Sequence, residues 1–180
     1  MIGKVFSDLT GVGYEPVALL ATQVVAGTNY RFLCKKAVVV PGAKATFAFV
    51  DVSKDLDGNF FLATSDGFDG IFSTSIEALP EGWTAPESPV IPEKYLLVIQ
   101  AKAVELKGAT ITPVAFVGQQ KVSDTEFNFA FVCEHASKIS DPGDAPSYCF
   151  IYANVKIGAD GTVTADITDN KIVSDNGALS

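Results

Sequence analysis

The one histidine of the chain, His135, stands two positions after Cys133. A thiol beside an imidazole is the raw material of a nucleophile and its base. On a strand, however, these two lie side by side on one face, and no third group is at hand to orient the ring. Cys34 and Cys149 complete a set of three cysteines. That is too few and too scattered for a disulfide scaffold or a zinc site, and the odd number leaves at least one thiol free. Asp55-Leu56-Asp57-Gly58-Asn59 gathers carboxylates around a glycine. The glycine comes too early for an EF-hand loop, so a solvated turn is expected instead of a calcium site. Asp141 and Asp144 fall in a Pro-Gly loop without apolar surroundings to raise a carboxyl pKa. No glycine pattern of the phosphate-cradling kind occurs. The residues thus nominate no catalytic group, no metal ligand and no cofactor, and the expectation is a protein that is not an enzyme.

What remains is a segment that could act by shape. Gln23-Val24-Val25-Ala26-Gly27 is apolar and small and ends in glycine. The elements around it decide how it is presented. Residues 16 to 25 and 29 to 40 are rich in β-branched and aromatic side chains and flank Ala26-Gly27-Thr28, which predicts a long hairpin turning at the glycine. Two further strands are expected at Ala45 to Val52 and Phe60 to Thr64, joined across the turn-forming Asp55 to Asn59 cluster.

The same plan recurs later in the chain. Gly11, Tyr14, Pro16-Val17-Ala18 and Gln23 align without gaps on Gly108, Ile111, Pro113-Val114-Ala115 and Gln120, at an offset of 113 − 16 = 97. Val25, Thr28, Tyr30 and Phe32 continue onto Val122, Thr125, Phe127 and Phe129, after which two extra residues bring Cys133 opposite Cys34. Strands are expected in this copy near 113 to 122, 126 to 134, 147 to 157 and 162 to 167, with Asp160-Gly161 at the last turn. Each copy therefore reads as a four-stranded antiparallel meander, and a meander with an apolar face needs a covering helix. In the second copy Pro92 can open one, Leu96, Ile99, Ala103 and Leu106 recur at helical spacing, and Gly108 can end it. The first copy has only Lys4 to Thr10 for this purpose, two turns at most. Between them Pro80, Gly82, Pro86, Pro89 and Pro92 mark an extended connection. Residues 1–70, a linker or trunk over 71–91, and residues 92–175 are the expected divisions.

Composition narrows the partners. Hydrophobic residues make up 48% of 180, enough for a buried core. Thirteen basic and twenty-one acidic side chains give a net charge of −8, which repels a phosphate backbone and argues against nucleic acid. No apolar run reaches the roughly 18 to 20 residues of a membrane span, and Ser7 and Asp8 interrupt any secretion signal. The balance leans toward the cytoplasm, although a mature secreted chain would read the same.

Thr22-Gln23-Val24-Val25-Ala26-Gly27-Thr28-Asn29-Tyr30 resembles the first inhibitory hairpin of the cystatins, especially of the stefin type, with its Gln-x-Val-x-Gly motif. The resemblance implies an α+β fold of two tandem cystatin-like modules, each a four-stranded antiparallel meander covered by one helix, the first helix short or truncated. It implies an inhibitor that wedges a hairpin, an N-terminal trunk and a second hairpin into the cleft of a papain-like cysteine protease. Gln23, Val24, Val25, Ala26 and Gly27 would form the first wedge, with Gly27 allowing the chain to reverse and approach the enzyme wall. Leu79-Pro80-Glu81-Gly82-Trp83 resembles the trunk, so Gly82 and Trp83 join the partner-binding set. Trp83 would be either a trunk anchor in a partner's pocket or a linker residue tucked against the second copy. Departures are clear: Asp55 to Asn59 lacks the Pro-Trp common in the second hairpin, and the second copy has Lys121 and Asp124 where the motif belongs. A non-inhibitory cystatin-like binding or scaffold module, part of a repeat array, is the alternative. Long hairpins short of cover also make a domain-swapped dimer an expectation.

Overall fold

The structure, a computed structural model, describes residues 5–6, 12–38, 46–63, 82–106, 109–137 and 147–172. The chain divides into two compact units, with the break between Pro89 and Val90. The described residues form two antiparallel sheets and one long helix, an α+β composition.

The first sheet runs in chain order through β1 (Val12–Val25), β2 (Gly27–Val38), β3 (Thr46–Lys54) and β4 (Phe60–Leu62). β1 begins four residues before the expected start, because Pro16 does not break it. The register slips between Pro16 and Ala18 and again between Leu19 and Ala21. A proline cannot donate to a ladder, and an edge strand with a bulge is where one is tolerated. β2 pairs with β3 in continuous register. Tyr30, Phe32 and Cys34 point to one face, where Phe32 meets Phe6 edge-on at 5.7 Å and Tyr30 stacks against Phe32 at 6.2 Å. Val5, Phe6, Val50 and Val52 close this core. Val5 and Phe6 are helical, which agrees with a covering turn at this point; the rest of the expected Lys4 to Thr10 helix lies outside the described residues. On the opposite face Arg31 grips Asp51 through both guanidinium arms, Nε to Oδ1 at 2.9 Å and Nη2 to Oδ2 at 2.8 Å, and lies over the Phe49 ring. A bidentate pair of this kind fixes cross-strand register as well as charge.

The second sheet has five strands where four are expected: β5 (Trp83–Thr84), β6 (Ala109–Lys121), β7 (Glu126–Ser137), β8 (Ser147–Ile157) and β9 (Val163–Ile172). The extra one is carved from the proline-rich connection. Trp83 and Thr84 lie between Pro80 and Pro86, and a two-residue strand needs no longer run free of proline. They form the edge strand of this sheet, next to β6. β9 continues to Ile172, past the expected residue 167, by way of an irregularity opposite Tyr152 and Ala153.

The helix Glu93–Val104 follows Pro92, whose missing N–H costs nothing ahead of a first turn. Ile99 and Ala103, two of the four residues expected to face inward, are fully buried in it. Ile99 packs among Phe116, Phe129, Phe131 and Ile151, and Tyr95 meets Phe129 at 4.7 Å. The helix ends at Glu105, and Gly108 lies outside the described residues. Three consecutive residues of β2, Phe32, Leu33 and Cys34, and five of β7, Phe129 to Cys133, are buried. Side chains alternate across a strand, so in the middle of β2 and β7 buried side chains point to both faces of the sheet.

Candidate functional site

The candidate segment sits where β1 turns into β2. Val25 pairs with Gly27, Val24 with Thr28 and Gln23 with Asn29, so Ala26 alone spans the turn. Val24 is 76% exposed, Val25 48%, and Ala26 is exposed beside them. At the same end of the sheet, the turn from β3 to β4 carries Leu56, 83% exposed. The two tips are neighbours because Thr28 at the start of β2 pairs with Lys54 at the end of β3. The end of the first sheet thus offers four exposed aliphatic side chains on two adjacent tips.

Three interactions make this end rigid. Gly27 has φ +123°, and a Cβ added there would collide with the carbonyl oxygen of Lys54. The close approach expected of Gly27 is therefore made to the chain's own third strand. Gln23 is likewise held from within. Asn29, 3% exposed, donates from Nδ2 to Gln23 Oε1 at 3.2 Å and accepts from Ser53 Oγ at 2.6 Å. This buried chain of amides and a hydroxyl crosses β1, β2 and β3 one residue pair below the tip. Its groups are matched donor to acceptor, so register is specified where a slip would leave a buried amide without partners. In the Asp55 to Asn59 turn, the Asp55 carboxylate accepts from the Asn59 backbone N–H at 2.8 Å and from its Nδ2 at 3.1 Å. The Asn59 bonds hold the Asp55 carboxyl below the ordinary aspartate value of 3.8. Gly58, with φ +86°, completes a solvated turn.

The corresponding end of the second sheet is built differently. Asn128 Nδ2 donates to Gln120 Oε1 at 2.8 Å, and Asn154 Nδ2 to Asn128 Oδ1 at 3.0 Å, the same polar crossing at the same depth. β6 slips register between Pro113 and Ala115 and between Phe116 and Gly118, each 97 residues after the slips in β1. Between Gln120 and Asn128, however, the tip is longer. The offset rises from 120 − 23 = 97 to 128 − 29 = 99, so the two extra residues sit in the tip, not beyond Phe129 as the alignment has it. A loop absorbs an insertion that, inside a strand, would shift the cross-strand pairing of every later residue. This tip is charged: Lys121 pairs with Asp124 at 2.6 Å and Lys156 with Glu126 at 3.7 Å. Lys121 also holds the Asp124 carboxyl below its ordinary value, by hydrogen bond and charge. A shallow cavity of about 330 Å³ beside it is lined by Thr125, Glu126, Lys156, Gly158 and Thr162 among others.

The remaining candidates separate. Trp83 is half-buried in β5, and Gly82 just before it is exposed with φ +83°. Leu79, Pro80 and Glu81, and the Asp141 and Asp144 loop, lie outside the described residues. Cys133 is buried in the core and His135 bonds through Nδ1 to Ser147 Oγ at 3.1 Å, so the two do not meet. Burial pushes the Cys34 thiol up to about 12. Among the described residues no group of three or more His, Cys, Asp or Glu could hold a metal ion, and no helix is long and apolar enough to cross a membrane. Leu56 and the Asn29 crossing were outside the candidate set; Gln23, Asn29 and Ser53 lie on three different strands, so no spacing in the sequence marks them as partners. Comparison with protein-family models, curated proteins and solved structures finds no match.

Proposed function

We propose that this chain is a cystatin-like inhibitor of papain-like cysteine proteases that acts by occluding the active-site cleft and performs no catalysis of its own. The observation that carries the reading is the exposed tip Val24-Val25-Ala26 on a hairpin pinned by Gly27 and the Gln23–Asn29–Ser53 crossing. A tip that is already ordered loses little freedom on docking, so the apolar area it buries goes largely into affinity. Fully burying an exposed valine or leucine contributes about 1.5–3 kcal/mol. Gln23 and Gly27 support the wedge from behind and make no contact with the enzyme; Val24, Val25, Ala26 and Leu56 make it.

The two sheets are read as two modules of one duplicated design. The paired bulges and the repeated Gln–Asn crossing favour this over two unrelated meanders. The second module's charged, ion-paired tip suits a non-inhibitory role, which the alternative scaffold reading would extend to the whole chain. Trp83 acts in this account as an edge residue of the second module and not as a trunk anchor.

The test is a titration of papain with the full chain. Inhibition at micromolar concentration or below is expected, with Val24→Asp and Val25→Asp each raising the inhibition constant more than tenfold and Val122→Asp leaving it unchanged. Absence of inhibition, or equal inhibition by the Val24→Asp/Val25→Asp double variant, overturns the proposal.

A further inference from the structure

Two of the three cysteines face each other. Cys133 in β7 and Cys149 in β8 are direct partners in the antiparallel register, and both are buried against Ile99, Phe131 and Ile151. Directly opposed residues in such a ladder have Cα atoms about 4.5 or about 5.5 Å apart, according to whether they exchange hydrogen bonds. Either separation lies within the span that a disulfide bridges without moving the backbone. The two side chains also share a face and already interact: a hydrogen bond between the thiols, followed by burial, raises Cys133. The first sheet supplies an internal comparison. There Cys34 occupies the position matching Cys133, and its register partner is Ala48, so the same site holds one thiol and cannot close.

We infer that Cys133 and Cys149 are an oxidisable dithiol that forms an intrachain cross-strand disulfide, locking β7 to β8 beneath the helix, while Cys34 stays a thiol. The oxidant is a small aliphatic disulfide. The thiolate of one cysteine attacks a sulfur of the oxidant, giving a mixed disulfide and releasing one small thiol. The second cysteine, as its thiolate, then attacks the protein sulfur of that mixed disulfide and expels the other small thiol. One S–S bond forms in the protein as one breaks in the oxidant; the protein gives up two electrons, and its two thiol protons pass to the released thiols. Because both sulfurs are buried in the folded chain, exchange is slow there and fast while the core is open. The bond is made during folding and then sealed. The ring closes over 149 − 133 = 16 positions, long enough that the cross-link removes appreciable freedom from the unfolded chain.

The full chain is refolded from denaturant at mildly alkaline pH with oxidised glutathione, then its thiols are counted in denaturant and its peptides mapped. The expected product is a chain free of intermolecular disulfides with one titratable thiol, about 2 Da lighter than the reduced chain, with Cys133 and Cys149 in one linked peptide. Its thermal midpoint for the second unit lies at least about 5 °C above that of the reduced chain. Cys34→Ala leaves the cross-link in place and Cys149→Ala abolishes it. Should Cys149→Ala not fold, the wild-type peptide map decides alone. Three titratable thiols after refolding, a linkage that includes Cys34, or disulfide-bonded dimers overturn the inference.

Discussion

Replacing Gly27 with alanine is the most informative perturbation of the hairpin, because the cost can be resolved into parts. At φ +123° an alanine is strained, by about 1–3 kcal/mol. The new methyl group also collides with the Lys54 carbonyl, so β2 must part from β3 at its first pair, Thr28 with Lys54. Losing that ladder bond adds about 1 kcal/mol. The expected total is about 2–4 kcal/mol, a large fraction of the roughly 4–13 kcal/mol available to a unit of this size. Gly58 is the natural control. It has φ +86°, yet an added Cβ there meets nothing nearer than Lys54 Cε at 4.0 Å, so Gly58→Ala feels backbone strain alone. Urea unfolding of the two variants, followed by tryptophan-independent far-ultraviolet circular dichroism, should place the Gly27→Ala midpoint about 1 M or more below wild type and clearly below Gly58→Ala. Equal midpoints for the two variants, or a neutral Gly27→Ala, would refute the assignment of Gly27 to support of the tip.

Asn29→Ala strips the buried crossing, leaves Ser53 Oγ without its acceptor, and should destabilise the first unit by about 1–3 kcal/mol in the same assay. Val24→Asp, by contrast, changes a largely exposed side chain and should leave the unfolding free energy within about 0.5 kcal/mol of wild type. Cys34, raised to about 12 by burial, is a neutral thiol at pH 8 and should resist iodoacetamide in the folded chain, as intact mass spectrometry would report. Asp55 should titrate below 3.8 by carboxyl-carbon NMR. A folded-state value below the unfolded one contributes stability that is present above the unfolded value and is lost as pH falls through the folded one, so the effect of Asp55→Ala should vanish in acid below that window.

Much of the scaffold was legible from residue pattern. Alternation in Tyr30, Phe32 and Cys34, and turn chemistry at Asp55 to Asn59, locate strands to within a few residues because short-range preferences set both. Ile99 and Ala103 mark the helix face for the same reason. Where sequence reading strayed, a longer-range term decided. Pro16 and Pro113 sit inside strands because bulges remove the need for their missing N–H, and a bulge is a property of the paired strand. Trp83 joins a sheet through a neighbour remote in sequence. The two-residue insertion could not be placed between Gln120 and Cys133 until cross-strand pairing located Asn128 opposite Gln120. The site was legible at Val24, Val25 and Ala26, whose exposure follows from a tight turn. The inward roles of Gln23 and Gly27 were not, since each depends on atoms of Asn29 or Lys54 on another strand.

Hydrogen exchange of the full chain, alone and with papain, addresses the proposed inhibitory role of the tip most directly. Saturating papain is expected to protect the amides of Val24 to Ala26 and of Leu56, while those of Val122 to Thr125 exchange as in the free chain. Protection confined to the second tip, or no protection at either with papain in excess, would contradict it.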